Sequence, residues 1–374
     1  MDLCELAPLH VRAIAPYPPG KPISELAREM DLDESDIVKL ASNENPLGAS
    51  PRALAAIENV FMEIARYPDG NGYALKSALS ERFGVAHNQI VLGNGSNDVL
   101  ELVARAFLSA QSSAVYAQHA FAVYPLVTQA TGARGIEAPA KNFSHDPKAM
   151  LEAISSDTRV LFIANPNNPT GTLLKPDELL ALIERVPESV IVVLDEAYTE
   201  YLPEELRSDS IAWIKRFPNL VVTRTFSKAY GLAGLRVGYA IASALVADML
   251  NRVRQPFNVN SLAQAAAIAA MEDQAFLDEC LEINRKGMEQ VTTGFKRLNL
   301  SYIPSYGNFV AFRIPSGNQG NASTIYQSLL RKGVIVRPVG NYGMPEYLRV
   351  SIGLEQENSI FLSALENVIQ GAST

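Results

Sequence analysis

The chain has 374 residues, 48% of them hydrophobic and 19% charged, with a formal net charge of -8. That size allows a large core and two domains, and the acidic balance argues against a nucleic-acid partner, which would need a basic face. The start, MDLCELAPLH, carries acids instead of a signal-type apolar core, and no apolar run is long enough to cross a bilayer, so a cytoplasmic protein with no membrane partner is expected.

Only Cys4 and Cys280 are present, and His10, His87, His119 and His145 form no metal-ligand spacing. No metal is therefore expected. Residues 1–48 read as an N-terminal arm. A mixed helical start leads into the extended PYPPGKP, which contains Tyr17; ISELAREMDLD has helical character, and IVKLASNENPLG breaks into a turn. Asn43, Asn45 and Pro46 are ordinary turn formers there.

Residues 49–255 read as a large α/β domain. SPRALAAIENVFMEIARY has helical spacing, and RYPDGNGYALKSALSERFG is a turn followed by a helix. QIVLGNGSNDVLELVARAFL is a short strand, a glycine turn and an amphipathic helix with Val99, Leu100, Val103, Ala106 and Phe107 on one face. Glycines between a strand and a helix start leave backbone N–H groups free for an anion. GNGSN matches neither a dinucleotide fingerprint nor a Walker loop. SSAVYAQHAFAVYPLVTQATGA supplies a further strand and helix. TRVLFIANPNNPTGTLL runs from strand into an Asn/Pro/Gly turn, VIVVLDEAYTEYL is a near-continuous apolar strand, and NLVVTRTFSK and LRVGYAIAS follow. Alternation of this kind predicts a largely parallel sheet covered on both faces, with its site outside the carboxyl ends of the strands. Residues 256–374 read as a smaller α+β domain: a long helical run broken once, the strands in SYIPSYGNFVAFRIP, GVIVRPV and YLRVSIG, and a closing helix.

The chemistry gathers where strands end. Lys228 follows the β-branched, buried-looking strand VVTRTF, and a desolvated lysine is a common carbonyl nucleophile. Ser227 and Arg236 beside it suit a phosphate. An aldehyde and a phosphate together suggest pyridoxal 5′-phosphate. Asp195 ends an apolar strand and needs a cation or donors, for which a protonated pyridine is one candidate and a helix cap or a core ion pair the alternatives. Tyr198 and Asn168 could reach the ring oxygen, and Phe121 has a flat face for stacking.

NPNNPTG, DEAY and TFSKAYGLAGLRVG occur in the order found in fold-type-I pyridoxal-phosphate aminotransferases. PYPPGKP, KLASNENPLG, RYPDGNGYALK, GNGSNDVLELVARAF, VRP and LRVSIG resemble the histidinol-phosphate aminotransferase family in particular, over nearly the whole chain. The resemblance implies a large domain with a mostly parallel seven-stranded sheet plus a smaller α+β domain. It implies that Lys228 joins the cofactor and moves the substrate's proton, that Asp195 pairs with the ring nitrogen, and that Asn168 and Tyr198 bind the ring oxygen. Gly95, Ser96, Asn97, Ser227 and Arg236 would hold the cofactor phosphate, Thr225 would also contact the cofactor, and Phe121 would replace the usual stacking tyrosine. Tyr67 would extend into a neighbouring subunit's site, making a homodimer with shared sites. Arg337 and Arg349, with Tyr17 and Asn45, would contact substrates: a phosphorylated amine in one half-reaction, glutamate or 2-oxoglutarate in the other. The implied reaction is transamination of L-histidinol phosphate. Aromatic amino-acid transamination and decarboxylation of a phosphorylated amino acid would use the same anchors.

Overall fold

The computed structural model describes residues 3–315 and 321–371. Strand β1 (Val38–Lys39) lies in the N-terminal segment. It is followed by β2 (Ile90–Gly93), β3 (Ser113–Ala117), β4 (Arg134–Ala138), β5 (Thr158–Ala164), β6 (Ile191–Asp195), β7 (Leu220–Thr225) and β8 (Gly238–Ala242), which form one seven-stranded sheet. Its order is β2-β8-β7-β6-β5-β3-β4, and only the β8 contacts are antiparallel. Strands β5 and β6 are buried along almost their whole length, which is why they read as continuous apolar runs. Strand β4, RGIEA, is an edge strand with mostly exposed side chains, so no apolar run announces it.

Apolar clusters cover both sheet faces. Helix Ser96–Phe107 packs Val99, Leu100 and Val103 beneath one face. The other face takes Leu75 and Leu79 of helix Tyr73–Phe83 and Leu179 and Leu182 of helix Pro176–Ile183. Helix Ser261–Glu272 belongs to this second cluster through Ala263, Ala266, Ala267 and Ala270. Asp273 breaks the long helical run, capping helix Gln274–Arg297 through a hydrogen bond from the Phe276 N–H.

A separate core gathers Val291 and Phe295 of that helix with β9 (Phe309–Arg313), β10 (Val334–Ile335), β12 (Tyr347–Ser351) and the closing helix Glu355–Gly371, and β11 (Arg337–Pro338) pairs beside β12. Strands β11, β12 and β9 form an antiparallel sheet, and β1 pairs in parallel with β10. Val38 and Leu40 thus complete the core of this smaller unit, and the residues that follow them run on to the edge of the large sheet.

SPRALAAIENVFMEIARY departs from one continuous helix. The α-helix spans Pro51–Val60 and a single 3-10 turn follows at Phe61–Glu63. Phe61, Met62 and Ile64 are left exposed, together with Leu54, Tyr67, Tyr73 and Phe257. Among the described residues, no helix is long and apolar enough to cross a membrane, and no group of His, Cys, Asp and Glu could hold a metal ion.

Candidate active site

The carboxyl ends of β5, β6 and β7 open onto a cavity of about 300 Å³. Its lining includes Ser96, Asn97, Phe121, Asn168, Asp195, Tyr198, Thr225, Ser227, Lys228 and Arg236, together with Tyr17, Arg337 and Arg349. The antiparallel run of β8 explains how Arg236 arrives there. Gly238 pairs with both Gly93 and Thr225, so the start of β8 lies level with the ends of its neighbours.

One end of the cavity is built for an anion. Helix Ser96–Phe107 begins at the cavity edge, where its first N–H groups lack helical partners. Gly95, the residue before it, has φ +81°, and a Cβ there would lie 2.5 Å from Arg236 Nη2. A Cβ on Gly238 would meet the Ser96 nitrogen at 2.5 Å. Both glycines let the loop, β8 and Arg236 close on one another. The Thr225 hydroxyl donates to Ser227 Oγ at 3.0 Å and accepts from the Ser227 N–H at 3.1 Å. Thr225 thereby fixes the serine, and Arg236 Nη1 donates to Ala233 O at 3.0 Å.

Asp195 belongs to the same lining. Tyr124 Oη donates to its Oδ2 at 2.9 Å and Thr223 Oγ1 to its Oδ1 at 3.2 Å. Burial pushes this carboxyl up to about 6 against the pull of those two donors. Tyr124 is itself clamped, stacked on Phe162 at 4.8 Å and met edge-on by Phe121. Lys228 also lines the cavity, and its Nζ donates to Ser42 O at 3.0 Å. Burial, and then the positive charge of Arg349, hold its ammonium down to about 8. Tyr198 accepts a hydrogen bond from Asn43 Nδ2 at 2.9 Å, and burial pushes its phenol up to about 12.

The smaller unit supplies two guanidinium groups. Arg337 and Arg349 sit opposite each other on β11 and β12. Arg349 donates from Nη1 to Asn168 Oδ1 and from Nη2 to Ala41 O at 2.7 Å, while its buried Nε has no hydrogen-bond partner among the described residues. Arg337 donates to Pro18 O at 2.7 Å and lies over the Tyr17 ring at 5.2 Å. Buried forks with a donor to spare suit a carboxylate or a phosphate.

Three of the sequence-selected residues do not line the cavity. Gly95 stands behind Arg236. The Asn45 side chain points away, donating to Ala229 O at 2.9 Å and lying 2.6 Å from Cys280 Sγ. Tyr67 is 83% exposed and stacks on Phe257 at 4.8 Å. Conversely, sequence reasoning passed over Tyr124, Thr223, Ser42 and Asn43. Thr223 was findable, since its side chain follows strand alternation beside Asp195. Tyr124 lies in the mostly apolar helix Val123–Ala130, where an aromatic ring carries no signal of its own.

The arrangement fits a flat, phosphorylated aldehyde with a basic ring nitrogen: N–H groups and a guanidinium for the phosphate, an amine for the aldehyde, and a carboxylate lacking a cation for the ring. Comparison with known proteins points the same way. The family profile described as aminotransferase class I and II matches residues 35–365. Histidinol-phosphate aminotransferase 2 of Nitrosospira multiformis is 60% identical over 98% of this chain and 92% of its own length. The histidinol-phosphate aminotransferase of Methylobacillus flagellatus is also 60% identical, over 98% of both chains. Among solved structures, the histidinol-phosphate aminotransferase of Sinorhizobium meliloti in complex with pyridoxal-5′-phosphate superposes with a TM-score of 0.89 at 27% identity, covering 97% of each chain. The chain belongs to the histidinol-phosphate aminotransferase family, within the class I and II aminotransferases.

Proposed function

We propose that this protein is a pyridoxal 5′-phosphate-dependent transaminase. It moves the amino group of L-histidinol phosphate to 2-oxoglutarate, releasing imidazole acetol phosphate and L-glutamate in histidine biosynthesis. One observation carries this reading. Lys228, a half-buried amine held down to about 8, stands in one cavity with an anion cradle and with a buried carboxylate, Asp195, that no cation among the described residues neutralises. The names of relatives at 60% identity support the substrate.

Ser96, Asn97, Ser227 and Arg236 would hold the cofactor's phosphate, Asp195 would face its ring nitrogen, and Asn168 and Tyr198 its ring oxygen. When bound, the cofactor supplies an aldehyde that condenses with amines and a ring that draws electrons from the bond being broken. Asp195 retains its negative charge beside a cation, which keeps the ring nitrogen protonated. Lys228, with its pKa near neutrality, can be an uncharged amine at working pH, take the proton from the substrate Cα and return it. Arg349 and Arg337 would grip the anionic group remote from the amine. A planar fork accepts the phosphate of one substrate and the carboxylate of the other, which a two-substrate cycle requires.

The exposed apolar residues around Phe61, Met62, Ile64 and Tyr67 form a surface of the kind that a second subunit covers. We read the working unit as a cytoplasmic homodimer in which Tyr67 reaches the partner's cavity.

The test has two parts. Borohydride treatment of cofactor-loaded protein, followed by peptide mapping, should place the reduced adduct on Lys228, and an adduct elsewhere or none would remove the mechanism. Mixing loaded protein with histidinol phosphate, phenylalanine or tyrosine should bleach the visible band fastest with the phosphorylated donor. Phenylalanine as the best donor would replace the substrate assignment, and release of carbon dioxide from a phosphorylated amino acid would replace the reaction class.

A further inference from the structure

The turn before the large unit touches three of the proposed functional side chains in succession. Ala41 O accepts from Arg349, Ser42 O accepts from Lys228, and the Asn43 side chain donates to Tyr198. The first two contacts use the backbone and tolerate any residue. The third depends on an amide side chain, at a position 1% exposed.

The direction of the Asn43 contact is fixed from behind. The Asn43 N–H donates to Ser351 Oγ at 2.8 Å, and Ser351 Oγ in turn donates to Asn43 Oδ1 at 3.1 Å. Asn308 Nδ2 holds the Asn43 carbonyl at 3.0 Å. With Oδ1 engaged by a hydroxyl proton, the amide can present only its NH2 to Tyr198. The phenolic oxygen therefore accepts, and its own proton is left free to point elsewhere. Among the described residues the Tyr198 hydroxyl makes no other hydrogen bond, and Tyr198 lines the cavity. Ser351 lies two residues beyond Arg349 on β12, so the relay starts on the strand that carries the proposed anion-binding arginine.

We propose that Asn43 is a positioning residue for Tyr198, and that the relay Ser351 to Asn43 to Tyr198 fixes the phenol as a hydrogen-bond donor into the cavity. This rests on the reading that the cavity takes pyridoxal 5′-phosphate with its ring oxygen towards Tyr198. A donor at that oxygen weakens its hold on the neighbouring proton, so a properly aimed Tyr198 lowers the pH midpoint of the visible band of loaded protein. Asn43 acts on that midpoint only through the phenol.

Two substitutions separate this from a purely structural role. Asn43 has φ +55°, which glycine adopts without strain, so Asn43→Gly removes the amide and keeps the turn. Asn43→Asp keeps the shape but offers only acceptors, which turns the Tyr198 proton away from the cavity. The midpoint is expected to rise by roughly 0.5 unit in Asn43→Gly and by about 1 unit in Asn43→Asp, the scale of one hydrogen bond expressed in pH. In a Tyr198→Phe background, Asn43→Gly should add nothing. In cofactor-free protein, Asn43→Asp should also move the ring Cζ NMR resonance of Tyr198. Unmoved midpoints in loaded variants, a glycine shift that persists in full without the Tyr198 hydroxyl, or an unmoved resonance would each overturn the inference. Wild-type protein that takes up no cofactor would overturn the reading beneath it, and the two failures are told apart by the visible band of the wild type.

Discussion

Asp195 and Glu196 are consecutive acids at one strand end, and the fold gives them opposite surroundings. Glu196 takes two hydrogen bonds from a single guanidinium, Arg224 Nε at 3.0 Å and Nη2 at 2.8 Å. Among the described residues Asp195 receives only neutral donors, the Tyr124 and Thr223 hydroxyls and the Ala197 N–H, and burial raises its carboxyl to about 6. The same contrast holds among the cations. The guanidinium of Arg224 is committed to a carboxylate, whereas Lys228 and Arg349 donate to carbonyl and amide oxygens, groups with no negative charge to neutralise theirs. A buried ion pair closed within the chain holds structure together. Buried charges of both signs left unpaired around one cavity are held for a ligand that carries the complementary charges.

The largest test of this contrast is Lys228→Ala. Transamination is expected to fall by 1000-fold or more, roughly the scale of losing a positioned acid–base group together with the nucleophile. Thermal stability should be unchanged or higher, because a costly half-buried amine is gone; retained turnover would end the site assignment.

On the paired side the outcome should be reversed. Arg224→Met leaves Glu196 buried without a cation and should cost roughly 3–5 kcal/mol in urea denaturation. Adding Glu196→Gln should recover much of that loss. A variant as stable as wild type would show that the pair is not a structural clamp.

The third test uses pH. In the cofactor-free protein Asp195 titrates at about 6 instead of the ordinary 3.8, so between those values the folded state binds the extra proton. Its contribution to stability is fully present below 3.8 and is lost as pH rises through 6, a change of roughly 3 kcal/mol. Asp195→Asn should flatten that part of the stability–pH curve. Added pyridoxal 5′-phosphate should flatten it in wild type, by giving the carboxylate a cation. A curve that rises with pH in this window for reasons traced to Asp195 would contradict the unpaired state.

The smallest effect is expected from Phe121→Tyr. Both rings offer the same face, and Phe121 already packs edge-on against Tyr124 at 5.8 Å. Cofactor affinity measured by equilibrium titration should change by no more than about threefold. A larger gain would mean that a hydroxyl at this position finds a partner.

Much of the cavity was legible because its residues lie beside strong local signals. Asp195 ends an apolar run, Lys228 follows a β-branched strand, and GNGSN stands where a strand meets an amphipathic helix. Strand periodicity and turn composition are properties of neighbouring residues, so they survive in the sequence. Tyr124 and Asn43 carried no such mark. One lies within an apolar helix and the other in a turn-forming stretch, and each acquires its role only from a partner far along the chain, 71 residues away for Tyr124 and 155 for Asn43. The position of Asn45 teaches the converse. Two asparagines two residues apart look equivalent in SNENP, yet one faces the cavity and the other bonds Ala229 and lies against Cys280.

By itself the sequence determined the alternation of strands and helices, the edge of the sheet at which the chemistry collects, and the family, because apolar spacing and short motifs are written locally. Tertiary structure decided which charges find partners, which asparagine points inward, and that the segment after β1 joins the small unit to Lys228 and Tyr198. Those outcomes depend on burial and on contacts between distant segments, and a carboxylate's neighbours in space are not its neighbours in the chain.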